Sequence, residues 1–160
     1  MNETQILPTC ESARTPVRSH PSPPRRILVV EDDIYIRQLS TESLSLCGYH
    51  VDAAEDGAVA WDALQLNRYD LLVTDNHMPK MSGVDLLKKV HGARMAVPII
   101  MATGTVPEHE FARQPWIQPA ATLLKPHTTS ELVAAVSSVL SAAGCSPEAS
   151  ASPARPAMPS

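Results

Sequence analysis

Tyr69-Asp70-Leu71-Leu72-Val73-Thr74-Asp75-Asn76-His77-Met78-Pro79-Lys80-Met81-Ser82-Gly83 is a short apolar run that ends on a carboxylate and then breaks into a turn. Leu71, Leu72 and Val73 show no polar alternation, which is the mark of a strand covered on both faces and hence of the middle of a parallel sheet. In open α/β sheets ligands bind beyond the carboxyl ends of the strands. Asp75 stands at such an end, where chemistry is done rather than packing.

Working outward, Ile27-Leu28-Val29-Val30 is a second continuous apolar run and ends in Glu31-Asp32-Asp33. A helix is predicted over Ile34 to Cys47, with Ile36, Leu39, Ser43 and Leu46 at helical spacing and Gly48 placed as its left-handed end. His50 to Ala54 alternates more than the other runs, which suits an edge strand with one wetter face. Gly57 opens a helix to about Leu66 on Val59, Trp61, Ala63 and Leu64. Gly83 to His91 gives the next, on Val84, Leu87 and Val90, and Gly92 closes it.

Val97 to Ala102 reads as a further strand that ends at Thr103-Gly104, with Pro98 near its start, where ladder donors are least needed. Pro115 and Pro119 limit the following segment to about two turns over Glu108 to Arg113. Ala121 to Leu124 is the last strand and ends at Lys125-Pro126. Thr128 and Glu131 form a capping box before an amphipathic helix that carries Leu132, Val133, Val136 and Val139 and ends near Leu140. Strand and helix alternate throughout, so the fold class is α/β: a doubly wound, right-handed, flavodoxin-like sandwich on a parallel five-stranded sheet of order 2-1-3-4-5.

Composition sets the limits. Five of the 15 prolines precede Arg25 and four follow Gly144, so residues 1–25 and 143–160 read as disordered tails around a domain at 26–142. No apolar run approaches a membrane span and the N-terminus lacks a signal-peptide core, so a cytoplasmic protein without a membrane partner is expected. A formal charge of −4 argues against direct nucleic-acid binding. Cys10, Cys47 and Cys145 are odd in number and lack metal-ligand spacing, and read as free thiols.

The carboxyl ends of the predicted strands offer Glu31 and Asp32, then Asp75, then Thr103, then Lys125. Crowded carboxylates repel unless a cation lies among them, and an oxygen-rich site that keeps several waters suits Mg²⁺. Metal, lysine and hydroxyl together neutralise the oxygens of a transferring phosphoryl group, with Asp75 as the in-line nucleophile.

From Arg26 to about Leu140 the chain resembles the receiver domain of two-component response regulators, of the stand-alone CheY-like type. The resemblance rests on Val29-Val30-Glu31-Asp32-Asp33, Thr74-Asp75-Asn76-His77-Met78-Pro79 with Gly83, Ala102-Thr103-Gly104 and Leu124-Lys125-Pro126, in that order. It implies that Asp75 is the phosphoacceptor, that Glu31, Asp32, Asp75 and the His77 backbone carbonyl hold Mg²⁺, that Thr103 is the switch hydroxyl and that Lys125 contacts the phosphoryl group. A sensor histidine kinase or histidine phosphotransfer protein would supply the phosphate, and an unknown downstream protein would read the switch. The chain is then a signalling phosphoacceptor that catalyses its own phosphoryl transfer and autodephosphorylation, rather than an enzyme. It departs from the family at Thr122, where receivers usually carry an aromatic residue three before the lysine.

Other chemistries fit less well. A flavodoxin-like carrier needs a hydroxyl- and glycine-rich loop after its first strand, where Glu31-Asp32-Asp33 would repel a phosphate. The P-loop and dinucleotide glycine motifs are missing. An aspartyl phosphatase would carry a second acid two residues after the nucleophile, where this chain has His77. The alternative of a different class is a receiver-like module that binds partners independently of phosphate; such a module would have no use for the full set of acid, threonine and lysine positions. Asp33 is expected only to cap the first helix.

Overall fold

The computed structural model of the protein describes residues 23–144. The expected tails therefore lie almost wholly outside the described residues. The elements run β1 (Arg26–Val30), α1 (Ile34–Leu46), β2 (His50–Ala54), α2 (Gly57–Leu66), β3 (Leu71–Thr74), α3 (Gly83–Gly92), β4 (Ile99–Thr103), α4 (Glu108–Arg113), a single 3₁₀ turn (Pro115–Ile117), β5 (Ala121–Leu124) and α5 (Thr129–Gly144). All strand pairs are parallel. The sheet order is β2-β1-β3-β4-β5, as the sequence reading expected.

Residues of β1 that are two apart go to the same side. Leu28 and Val30 join Leu72, Met101 and the buried residues of α2, α3 and α4 in one apolar cluster. Ile27 and Val29 join Leu71, Val73, Ile100 and the α1 and α5 residues Leu44, Leu132, Val136 and Leu140 in the other. Both faces of the central strands are thus dry, which is why their sequences do not alternate. The outer strands β2 and β5 are only partly covered.

Helix α1 corrects one expectation. Its buried residues are Ser40 and Leu44, while Leu39 is 55 % and Leu46 88 % exposed. The row that faces the sheet runs at i, i+4 through Ser40 and Leu44, and its first position is a small polar residue that a search for apolar spacing passes over. Cys47, at the C-cap of α1, is disulfide-bonded, which corrects its reading as a free thiol. Helix α3 is followed not by a left-handed glycine but by Arg94 at φ 56°, two residues beyond Gly92. Helix α5 runs four residues past Leu140, since Ser141 to Ala143 contain nothing that stops a helix. Among the described residues no helix is long and apolar enough to cross a membrane.

The loops at the carboxyl edge are tied down by caps. Asp56 accepts the Val59 N–H at 2.9 Å to cap α2. It also meets Lys80 Nζ at 3.2 Å, and is only 2 % exposed. The Val59 hydrogen bond, helped by Lys80 and opposed by burial, holds its carboxyl below the usual aspartate value of 3.8. Asp56→Ala should cost about 1–2 kcal/mol at neutral pH. A depressed carboxyl contributes stability above its unfolded value and loses it as pH falls through the folded one. Thermal unfolding should therefore show a gap between wild type and variant at pH 7 that narrows below 3.8; a gap that is independent of pH would contradict this role.

Candidate phosphoacceptor site

The sheet ladder continues one residue beyond the strands and fixes the rim. Glu31 N–H donates to the Ala54 carbonyl and Asp75 N–H to the Val30 carbonyl, both at 3.1 Å. Lys125 N–H donates to the Thr103 carbonyl at 2.9 Å. The acidic residues after β1 and β3 are therefore neighbours through backbone pairing, and Lys125 stands at the end of β5 across from them. Its Nζ bridges the acids, 2.7 Å from Glu31 Oε2 and 3.1 Å from Asp75 Oδ2.

Both carboxylates are buried while Asp32 beside them is exposed. Burial pushes the Glu31 carboxyl above its ordinary value, although the hydrogen bond and charge of Lys125 pull the other way. Burial also works against the charge on Lys125, but the hydrogen bond to Glu31 and the charges of Glu31 and Asp75 outweigh it, so its ammonium is held above the ordinary lysine value. At neutral pH the lysine is a fixed cation. Glu31, Asp32 and Asp75 each place a carboxylate oxygen within 4.8 Å of the others. Three hard oxygen donors, one of them open to water, are a donor set that fits Mg²⁺.

Asp75 Oδ1 accepts the backbone N–H of Asn76 at 2.6 Å and of His77 at 3.3 Å. The His77 side chain is exposed. Thr103 is fully buried at the end of β4. Its hydroxyl donates to the Thr105 carbonyl at 3.1 Å rather than into the acid cluster. Asp33 caps α1 by accepting the Tyr35 and Ile36 N–H groups at 2.9 and 3.1 Å, as expected of it.

Two residues of the site carry no assigned role in the sequence. Arg37 Nη1 donates to the Glu31 carbonyl at 2.7 Å and, less closely, to that of Asp32 at 3.4 Å, so the acidic loop is gripped from the second turn of α1. The signal was available: position 37 is one turn after the Asp33 cap, on the side that faces back over the loop. Asn76 accepts the Val84 N–H on Oδ1 and the Gly83 N–H on its carbonyl, both at 3.0 Å, which joins the turn after Asp75 to the start of α3. The sequence reading singled out Gly83 but gave no reason for it. A Cβ there would collide with the Asp75 carbonyl oxygen and lie 2.9 Å from Asn76 Cα, so only glycine lets α3 begin against the loop that follows Asp75.

Comparison with known proteins shows the family. The family model described as response regulator receiver domain matches residues 27–137. Response regulator MprA of Mycobacterium tuberculosis is 40 % identical over 78 residues, which are 49 % of this chain and 34 % of that protein. The 3',5'-cyclic-nucleotide phosphodiesterase regA of Dictyostelium discoideum is 33 % identical over 91 residues, 54 % of this chain and 12 % of that protein. The matches thus span about a third or less of these curated relatives. Among solved structures, chemotaxis protein CheY4 of Vibrio cholerae superposes with a TM-score of 0.67 at 29 % identity, covering 72 % of this chain and 98 % of that one. Response regulator TrrA of Thermotoga maritima, in complex with Mg²⁺ and BeF, gives 0.63 at 29 % identity with the same coverage.

Proposed function

From the chain's membership of the response regulator receiver family, we propose that it accepts a phosphoryl group on Asp75 from a histidine kinase or histidine phosphotransfer protein in the cytoplasm. The observation that carries the reading is the bridge of Lys125 between Glu31 and Asp75 within a cluster of three carboxylates. A buried carboxylate at the end of a central strand, with a fixed cation beside it and room for a second, is equipped to receive a dianion.

In the reaction an Asp75 carboxylate oxygen attacks phosphorus in line. The phosphorus–oxygen bond forms as the phosphorus–nitrogen bond of the donor phosphohistidine breaks, and the leaving imidazole takes a proton from solvent. The Asn76 and His77 N–H groups orient the carboxylate. Lys125 exchanges part of its contact with the acids for a phosphoryl oxygen, and the Thr103 hydroxyl supplies a further donor. Glu31, Asp32, Asp75 and the His77 carbonyl would hold Mg²⁺, which when bound neutralises charge on the phosphoryl oxygens. Hydrolysis of the resulting acyl phosphate by water resets the protein, and a downstream protein reads the phosphorylated state.

The test is incubation of the purified protein with a small acyl-phosphate donor, with and without Mg²⁺, followed by intact-mass measurement. A gain of one phosphoryl group that depends on Mg²⁺ is expected. No gain under either condition would overturn the proposal and favour a module that binds its partner independently of phosphate.

A further inference from the structure

The edge of the sheet opposite Asp75 carries a groove that the phosphoryl chemistry does not use. It lies between the turn that joins α2 to β3 and the turn that joins α3 to β4, and encloses about 580 Å³, which is the size of a binding site. Leu66, Met95 and Val97 supply apolar surface, and Arg68 and Arg94 supply charge. Leu66 is 81 % exposed. Among the described residues neither arginine has a carboxylate within ion-pair reach. The one acid of the groove, Asp70, is engaged on its own wall, where Oδ2 accepts the Arg26 N–H at 2.7 Å. Arg94 also holds φ 56°, a backbone state that glycine adopts more cheaply. Two guanidinium groups beside exposed apolar surface match an occupant that carries acid and aliphatic side chains together.

We infer that this groove is the docking site of the chain's own N-terminal segment, residues 3–11, which lie outside the described residues. The chain enters the fold at the groove: the hydrogen bond from Arg26 to Asp70 fixes the start of β1 against the groove wall, so everything before it emerges there. The composition of the segment is complementary. Glu3-Thr4-Gln5-Ile6-Leu7-Pro8-Thr9-Cys10-Glu11 sets an aliphatic pair between two acids, as the groove sets apolar side chains beside two arginines. Glu3 and Glu11 are the only acids before residue 26, and Ile6-Leu7 is the only aliphatic pair there.

The connection is long enough. Residues 12–25 hold Pro16, Pro21, Pro23 and Pro24, and at ~3.1 Å per residue a proline-rich stretch of this length reaches roughly 40 Å, ample for a groove beside its own anchor. Each exposed ion pair is weak, so the tether matters: it holds the segment at an effective concentration of about millimolar, and a contact too weak to join separate molecules then fills the groove. The C-terminal segment fits less well. Helix α5 packs with α1 on the other face of the sheet, whereas Met95 and Val97 pack on the α2 and α3 side. Residues 145–160 contain one acidic side chain, Glu148, and no Ile, Leu or Val.

The experiment uses the full chain with Leu66→p-benzoylphenylalanine, a photoreactive side chain at an exposed position that folding does not need. After irradiation, intact mass distinguishes adducts within one molecule from those between two, and peptide mapping locates them. An adduct within one molecule between residue 66 and the 3–11 segment is expected. Glu3→Arg with Glu11→Arg should lower its yield several-fold, as should Arg68→Glu with Arg94→Glu, and the four changes combined should restore it. Ile6→Ser with Leu7→Ser should also lower it. Adducts confined to the groove's own residues, to residues 145–160 or to a second copy of the chain overturn the inference, as does a yield that the charge reversals leave unchanged or that their combination fails to restore. No phosphoryl donor is needed, so the result stands apart from the role of Asp75.

Discussion

Asp75→Asn is expected to take no phosphoryl group from an acyl-phosphate donor in the presence of Mg²⁺, and to remain folded. The amide oxygen can still accept the Asn76 N–H that Asp75 Oδ1 accepts, and the substitution leaves no cavity, so the cost to folding should stay near ~1 kcal/mol. What the amide lacks is a charged nucleophile. Of the acids on this rim, Asp75 alone ends a central strand with Lys125 on one side and the Glu31–Asp32 pair on the other. Glu31 is also in reach of Lys125, which makes it the informative control. Intact mass of Asp75→Asn and Glu31→Gln should show labelling abolished in the first through loss of the nucleophile and reduced in the second through loss of a metal ligand. Undiminished labelling of Asp75→Asn would place the acceptor elsewhere.

The parts of the fold that could be read from the sequence were those where burial leaves no choice. Leu71 to Val73 and Ile27 to Val30 are dry on both faces, so their unbroken apolar runs name them as central strands. The rim was readable for a related reason: a strand that ends on a charged or hydroxyl residue fixes that residue at the sheet edge, and the ladder bonds of Glu31, Asp75 and Lys125 do this here. Helices carried less information. The face that α1 turns to the sheet depends on one small polar residue, Ser40, and its exposed leucines imitate a buried stripe. Backbone reversals escaped for the same kind of reason. Lys80 at φ 68° and Arg94 at φ 56° occupy positions that usually signal themselves with glycine. Lys80 Nζ lies 3.2 Å from the buried Asp56, a contact between two loops that are far apart along the chain. Side-chain reach of this kind, like the grip of Arg37 on the acidic loop, becomes visible only once the loops are placed.

Lys125→Met should weaken the fold in the absence of Mg²⁺ and strengthen its response to the metal. The lysine is the cation that separates Glu31 from Asp75, at 2.7 and 3.1 Å. With a methionine in its place, two buried carboxylates face each other without a counter-charge, while the apolar stem is largely replaced. Breaking a buried ion pair costs several kcal/mol, but this lysine keeps a fifth of its side chain in water, so the loss should be about 1–3 kcal/mol. The same uncompensated charge should draw a cation in. Lys125 competes with a metal for Glu31 Oε2, and its removal frees that oxygen; Mg²⁺ affinity should rise roughly tenfold, or ~1.4 kcal/mol. A ligand that binds only the folded state stabilises it in proportion to the logarithm of its concentration over Kd. Thermal unfolding at increasing Mg²⁺ should therefore start lower for Lys125→Met than for wild type and climb more steeply, and the two curves should approach each other at high metal. Phosphoryl transfer should slow in the variant even when metal is saturating, because the charge that meets the phosphoryl oxygens is gone. Parallel titration curves, or a weaker Mg²⁺ affinity in Lys125→Met, would show that the lysine does not compete with the metal and that its bridge to Glu31 is structural alone.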